Sequence, residues 1–210
     1  MSSSAGGRTG SKPNLAIRRP VGRGTLRIIG GVWRRRRIAF PDAPDLRPTP
    51  DRVRETLFNW LGQELDGYRC LDLYAGSGAL GLEALSRGAS HVIMVEYNPM
   101  VVRALESNAA LLQPTGRLEI IRADAIEFLR LHGGASSSSE EERFDLVFLD
   151  PPFENGVPHE VLELLPACLA AGARVYLESG CKPELPAGWH VEKSSRAGQV
   201  YFQLLRLDSE

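Results

Sequence analysis

Short apolar runs alternate with longer segments of helical length from residue 70 onward. The runs cover residues 70–74, 91–96, 118–122, 144–150 and 174–178, and two more follow at 189–193 and 199–205. Strands that alternate with helix-length segments predict a doubly wound α/β sheet. The last two runs have no room for a helix between them, so we expect a hairpin there and at least one antiparallel strand in the sheet.

A β-hairpin is predicted near the N-terminus. Between residues 26 and 38, two short β-prone runs flank Gly30-Gly31, as expected for two strands joined by a turn. Aromatic and guanidinium side chains are suited to stacking on bases and to contacting phosphates. The candidates for such contacts on the hairpin are Trp33, Arg34, Arg35, Arg36 and Arg37.

A helix is predicted between this hairpin and the sheet. Thr49 is a candidate N-cap, and Pro50 would occupy the first helical position. One face of the segment is apolar, with Val53, Leu57, Trp60 and Leu61. Further arginines near the start of the helix are candidates for contact with nucleic acid: Arg47, Arg52 and Arg54.

The distribution of charge also favours a nucleic-acid partner. The net charge is −1, but residues 1–60 carry 13 Lys or Arg against 4 Asp or Glu, whereas residues 61–210 carry 12 against 22. A basic segment on an acidic body favours a partner with many phosphates. Residues 1–24, rich in Ser, Gly and Arg, have too little apolar content to order, and we expect a disordered basic tail there.

Length and composition favour one principal domain. A chain of 210 residues that is 43% hydrophobic can bury a core without disulfides. No apolar run approaches the roughly 20 residues of a membrane span, and the N-terminus lacks the apolar core of a secretory signal, so we expect a cytoplasmic protein. We place the domain at residues 25–210, with the hairpin at 25–45, the leading helix at 49–66 and the sheet core at 69–207. The Ser-rich segment 133–142 is interpreted as a loop.

Candidate chemistry lies at the carboxyl ends of the predicted strands, where ligands bind in sheets of this kind. After the first strand, the turn containing Gly76 and Gly78 leads into a helix, so a ligand can approach the backbone and the free N–H groups of the helix start. Glu96, at the end of the second strand, can accept both hydroxyls of an adenosine ribose. Asp124, after the third strand, is placed to reach an adenine amino group.

The spacing Gly76-x-Gly78-x-x-Gly81 also fits a dinucleotide fingerprint, so a dehydrogenase is one alternative. Asp72 weighs against it, because a carboxylate inside the first strand would repel a pyrophosphate but not a sulfonium or an amino group.

The tetrapeptide Asp150-Pro151-Pro152-Phe153 ends the fourth strand of the predicted sheet. Two prolines have no N–H donors, so this backbone presents rigid carbonyl acceptors. The Asp150 carboxylate and the Pro151 carbonyl could orient an exocyclic amine toward an electrophilic methyl group, and Phe153 could stack on the base. Catalysis would then consist mostly of positioning, without a strong general base.

Taken in order, these motifs resemble those of class I S-adenosylmethionine-dependent amino-methyltransferases. More specifically, the segments 27–33, 47–61 and 71–89 are similar to the bacterial 16S ribosomal RNA guanine N2-methyltransferase family, RsmD, and the resemblance spans about residues 25–206. It implies a Rossmann-like sheet of seven strands with the last strand antiparallel, an N-terminal β-hairpin, and methylation of one guanine in the small ribosomal subunit. Arg35 stands where the family usually has glycine.

The candidate site combines catalytic residues at the end of the fourth strand with cofactor-binding residues in and after the first three strands. The catalytic candidates are Asp150, Pro151, Pro152 and Phe153. The candidates for binding S-adenosylmethionine are Asp72, Tyr74, Ala75, Gly76, Ser77, Gly78, Glu96, Tyr97, Asp124, Ala125 and Asp150. We expect a monomer that binds 16S ribosomal RNA, with no metal, because the His, Cys and acidic residues show no ligand spacing. An N6-adenine methyltransferase acting on RNA or DNA and a non-catalytic ribosome assembly factor remain open.

Overall fold

The computed structural model describes residues 24–43, 46, 48–133, 142–152 and 157–208. Its first elements are β1 (Gly24–Arg27), β2 (Arg37–Phe40), α1 (Asp51–Leu61), β3 (Arg69–Asp72), α2 (Ala79–Ser86), β4 (His91–Glu96) and α3 (Pro99–Leu112). They are followed by β5 (Leu118–Arg122), α4 (Ala125–His132), β6 (Phe144–Leu149), α5 (His159–Leu164), a 3₁₀ turn (Leu165–Cys168), β7 (Leu169–Ser179), β8 (Trp189–Ala197) and β9 (Val200–Leu207). Residues 1–23 of the tail predicted at 1–24 lie outside the described residues, as does most of the loop predicted at 133–142, whereas Gly24 begins β1 and does not belong to the tail.

Seven strands form one sheet in the order β5-β4-β3-β6-β7-β9-β8. The neighbours from β5 to β7 are parallel, whereas β9 runs antiparallel to both β7 and β8. The predicted doubly wound sheet with its antiparallel last strand is confirmed. The chain moves outward from β3 to β5 and then crosses to β6 on the other side of β3. The carboxyl ends of β3 and β6 therefore border the crevice in which such sheets bind ligands.

Apolar side chains fill both faces of the sheet. One core combines α1, α2 and α3 with the hairpin residues Leu26, Ile28 and Ile38. The other lies under α4 and α5 and includes Phe128 and Val161. The hairpin therefore shares the first core instead of standing apart from the sheet. Within the part of the chain that is described, no helix is both long and apolar enough to cross a membrane.

The N-terminal hairpin is confirmed, but Gly30-Gly31 is not a tight turn between its strands. Strand-like bonds continue past β1, because the Ile28 N–H donates to the Arg36 carbonyl at 2.9 Å. Gly31 instead lies against helix α2 with φ +69°, and a Cβ there would lie 1.7 Å from the Ser86 carbonyl oxygen. Glycine is needed at this position because the hairpin backbone touches the helix backbone.

Helix α1 begins one residue later than predicted. Its N-cap is Pro50, and among the described residues no side chain caps the helix. The expectation that Thr49 caps this helix is therefore wrong. The helix ends at Leu61, five residues before the end of the leading helix predicted at 49–66, because Gly62 adopts the left-handed conformation at φ 101° and terminates it.

Candidate active site

A cavity of about 380 Å³ opens at the carboxyl ends of β3, β4 and β6. The described residues that line it include most of the predicted cofactor and catalytic residues. Those are Asp72, Tyr74, Ala75, Gly76, Ser77, Glu96, Tyr97, Asp124, Ala125, Asp150, Pro151 and Pro152. Parallel strands thus bring together residues that are nearly 80 positions apart in the chain.

Asp72 lies at the base of this cavity and is almost fully buried. Its Oδ2 accepts the Gly81 N–H at 3.0 Å, while its Oδ1 has no hydrogen-bond partner among the described residues. The pKa of Asp72 is raised to about 7, mainly by burial; the carboxylates of Asp150 and Glu96 also raise it, and the Gly81 hydrogen bond lowers it. A buried acceptor without a donor suits a ligand that brings an amino or cationic group.

Glu96 connects the end of β4 to the glycine turn after β3. Its Oε2 accepts the Gly76 N–H at 2.9 Å, and its Oε1 accepts the Asn98 N–H at 2.7 Å. Gly76 has φ 49°, a left-handed conformation that glycine adopts easily. These two bonds fix the carboxylate at the cavity wall, and each oxygen keeps a lone pair for a ligand hydroxyl.

Asp124 and Tyr97 form the outer rim of the cavity. Asp124 is the N-cap of α4, since its Oδ1 accepts the N–H groups of Ile126 at 2.9 Å and Glu127 at 3.2 Å. Tyr97 follows Glu96 and is 72% exposed. A large aromatic ring that faces solvent beside a cavity can cover a planar ligand.

Asp150 follows β6 at the inner end of the cavity. The Thr49 hydroxyl donates to its Oδ2 at 3.1 Å. Burial raises the pKa of Asp150 to about 6, although the hydrogen bond from Thr49 lowers it. Near neutral pH the group is therefore mostly an ionised acceptor.

Glu178, at the end of β7, adds a further acid behind Asp150 and is 2% exposed. Its Oε1 accepts the Tyr176 hydroxyl at 2.8 Å. Burial and the neighbouring Asp150 raise its pKa to about 8, so Glu178 is mostly protonated at neutral pH. Across the described residues, these acids do not form a group that could hold a metal ion.

The comparisons with known proteins agree with this geometry. A family model described as Conserved hypothetical protein 95 matches residues 26–206. The chain is 42% identical over 204 residues to the Ribosomal RNA small subunit methyltransferase D of Escherichia coli strain K12, with 95% of this chain and 96% of the relative covered. The chain belongs to the family of ribosomal RNA small subunit methyltransferase D.

Two further relatives support the assignment. A protein of the same name from Haemophilus influenzae is 37% identical, with 90% of this chain and 97% of the relative covered. The solved structure of a putative methyltransferase from Escherichia coli has a TM-score of 0.75 and 41% identity, with 89% of this chain and 100% of that one covered. The fold is the Rossmann-like fold of class I methyltransferases, as the sequence predicted.

Not every predicted cofactor residue of this family member faces the cavity. Gly78 lies outside the described residues that line it. It is the N-cap residue of helix α2 with φ 76°, and a Cβ there would lie 2.6 Å from a methyl carbon of Leu105. Its glycine is needed for packing against α3, and its contact with the cofactor stays a prediction.

Two predicted RNA contacts are also corrected. Trp33 is only 7% exposed and belongs to the core between the hairpin and α2. The side chain of Arg54 is 0% exposed. Neither can stack on a base or meet a phosphate without leaving the core.

The remaining predicted arginines of the hairpin and helix α1 are on the surface. Those described and exposed are Arg34, Arg35, Arg36, Arg37 and Arg52. Arg36 donates to the Leu111 carbonyl at 3.3 Å, which places its guanidinium beside the end of α3. Arg47 and Phe153 lie outside the described residues.

Sequence reasoning missed the buried acid that accompanies Arg54. Glu83 of α2 is fully buried and accepts from Arg54 Nη1 at 3.2 Å and from Arg87 Nε at 2.9 Å. It also accepts the backbone N–H groups of Ile29 at 2.8 Å and Gly30 at 2.7 Å. One carboxylate therefore joins the hairpin, α1 and α2.

Proposed function

We propose that this chain transfers a methyl group from S-adenosylmethionine to the exocyclic N2 amine of one guanine in the 16S ribosomal RNA of the small subunit. The observation that carries the proposal is the shared cavity, in which Asp150 and Pro151 line the same space as Gly76 and Glu96. The names of the relatives, which are small-subunit ribosomal RNA methyltransferases, support the RNA substrate. Such a substrate would be met in the cytoplasm.

The residues present fit the cofactor. The unpartnered Oδ1 of Asp72 would accept from the cationic methionine part, and Glu96 would accept the ribose hydroxyls. Asp124 and Ala125 would border the adenine, with Tyr97 covering it from the solvent side. When bound, the cofactor supplies an electrophilic methyl group on a sulfonium.

The chain itself positions the amine. With Oδ2 of Asp150 held by Thr49, we assign Oδ1 and the Pro151 carbonyl as the two acceptors for the amine N–H groups. The lone pair of the nitrogen is delocalised into the base, so orientation is the main need. After transfer the nitrogen is strongly acidic and loses a proton, for which Asp150 is the acceptor. The pKa of about 6 leaves Asp150 ionised and able to accept at neutral pH.

The exposed arginines would hold the RNA around the target. Arg34 to Arg37 and Arg52 lie on the hairpin and at the start of α1, and Thr49 and Pro50, which precede α1, lead to the cavity. We propose that these side chains contact phosphates, while the target base is unstacked into the cavity.

The test is methylation of small subunits from cells that lack the modification, with radiolabelled methyl donor, followed by mass spectrometry of the nucleosides. We expect N2-methylguanosine at one site, and a loss of at least about 100-fold in rate for Asp150→Asn. Asp208→Asn, which changes an exposed aspartate near the C-terminus, is the matched control and should keep its rate.

Two other results of these measurements would indicate a different function. Asp150 and Pro151 recognise an amine and not a particular base, so N6-methyladenosine would show an adenine methyltransferase. Absence of S-adenosylmethionine binding in calorimetry would instead indicate a non-catalytic assembly factor.

A further inference from the structure

We infer that Thr49 is a positioning residue for the proposed methyl transfer, because its hydroxyl holds one carboxylate oxygen of Asp150 while its backbone is fixed by the buried guanidinium of Arg54. The inference rests on the proposed function, since it needs Asp150 to orient the amine.

The hydroxyl of Thr49 is directed at the cavity and not at its own helix. Thr49 is 6% exposed and lines the cavity, and its Oγ1 lies 3.1 Å from Oδ2 of Asp150. Helix α1 begins after Pro50 and does not use this hydroxyl. A threonine in front of a helix commonly caps it. Here the hydroxyl instead contacts a carboxylate from a strand more than 90 residues later in the chain.

The backbone of Thr49 is fixed from the other side. Nε of Arg54 donates to the Thr49 carbonyl at 3.2 Å, and Nη2 donates to the Arg27 carbonyl at 3.0 Å and to Asp51 at 2.6 Å. Nη1 of Arg54 pairs with Glu83 at 3.2 Å. A guanidinium with its donors occupied on four sides has little freedom to move. The position of Thr49 is therefore set by the hairpin and by α2 together.

Burial raises the pKa of Asp150, and several other titratable groups lie around it. Asp72 faces it from β3, and Tyr176 and Glu178 face it from β7, while Glu96 of β4 faces Asp72. The positive charge of Arg54 lies behind the Thr49 carbonyl. The Thr49 hydroxyl lowers the pKa of Asp150 and also that of Glu178. Loss of the hydroxyl would raise the pKa of Asp150 and free its carboxylate to rotate.

The experiment compares Thr49→Val, which keeps the shape and removes the hydroxyl, with Thr49→Ser, which keeps the hydroxyl. Single-turnover methylation of unmodified small subunits is measured from pH 5 to pH 9 at saturating S-adenosylmethionine. For Thr49→Val we expect a fall of about 10-fold in rate at pH 7, as for one lost charge-assisted bond, and an acid limb displaced to higher pH. Thr49→Ser should restore both. Thr56→Val is the matched control, since the Thr56 hydroxyl bonds only to the Arg52 carbonyl of its own helix among the described residues.

Two results would overturn the inference. One is a Thr49→Val rate and pH profile equal to those of the unchanged protein and of Thr56→Val. The other is an equal loss for Thr49→Ser and Thr49→Val, which would show that the hydroxyl is not what matters, even if both variants are destabilised. Asp150→Asn in the same assay separates this inference from the proposed function. Full activity of Asp150→Asn would reject the proposed function, whereas its inactivity beside a normal Thr49→Val would reject only the role of Thr49.

Discussion

Replacing Glu83 by Gln keeps the volume of the side chain and removes its charge. In the structure this carboxylate is fully buried between two guanidinium groups, with Arg54 Nη1 at 3.2 Å and Arg87 Nη2 at 2.9 Å. It also accepts two backbone N–H groups from the hairpin, those of Ile29 and Gly30. Every neighbour of Glu83 in this set is a donor, so the amide nitrogen of Gln would meet donors and leave one of them unsatisfied.

The loss in free energy of unfolding is set by the guanidinium of Arg54, which remains buried after Glu83→Gln. Arg54 keeps Asp51 as a counterion, but that carboxylate is partly exposed and screened by solvent. Removing one partner of a buried ion pair costs about 3–5 kcal/mol, because the other charge stays in the core. With a urea dependence of about 2 kcal/mol per molar, the unfolding midpoint should fall by about 1.5–2.5 M.

The assay is urea unfolding at pH 7 followed by tryptophan fluorescence, since Trp33 lies in the same core as the network. Glu106→Gln, an exposed position on α3, is the matched control and should change stability by less than about 0.5 kcal/mol. If Glu83→Gln costs less than about 1 kcal/mol, the network contributes no more than a surface ion pair and the reasoning is refuted.

Three further predictions concern Asp72, Gly31 and Arg37. The pKa of Asp72 is about 7, and a cationic ligand binds its ionised form. The Kd for S-adenosylmethionine, measured by calorimetry, should therefore rise as pH falls from 7.5 to 5.5, approaching about tenfold per pH unit. An equal pH dependence in Asp72→Asn would contradict this. Gly31→Ala should lower the free energy of unfolding in urea by about 2–4 kcal/mol. Gly116 also has a positive φ but has open space for a Cβ, so Gly116→Ala should cost only about 1–2 kcal/mol. Equal losses would refute the contact with α2. Arg37→Gln should weaken binding to small subunits and reduce the slope of log K against log salt concentration by about 1, without changing the Kd for S-adenosylmethionine. Arg103→Gln on α3, also exposed, is the control and should leave the slope unchanged. An unchanged slope for Arg37→Gln would argue against a phosphate contact.

The sheet and the position of the site were predictable because they depend on local pattern. Alternating apolar runs located the strands, although β7 extends from Leu169 through Gly172, where φ is 74°, and so begins earlier than its apolar run. The carboxyl ends of parallel strands meet at one edge, so Glu96 and Asp150 could be assigned to one cavity without coordinates.

The errors concern residues whose environment is set by distant partners. Arg54 resembles any surface arginine in a basic segment, and its burial depends on Glu83, which is 29 positions away. Gly78 shares a motif with Gly76, and the motif does not reveal that Gly78 packs against Leu105 of α3. Thr49 fits a helix cap by sequence, whereas its partner lies on a strand more than 90 positions later. Local spacing carries no information about such partners.

The contact between Gly31 and the Ser86 carbonyl has a consequence for how the molecule can be used. A backbone-to-backbone approach with no room for a methyl group leaves the hairpin no space to tilt on α2. The distance between the arginines of the hairpin and the mouth of the cavity is then fixed. A nucleic acid bound by these arginines, as proposed above, would present to the cavity only the nucleotide that lies at that distance along its own fold.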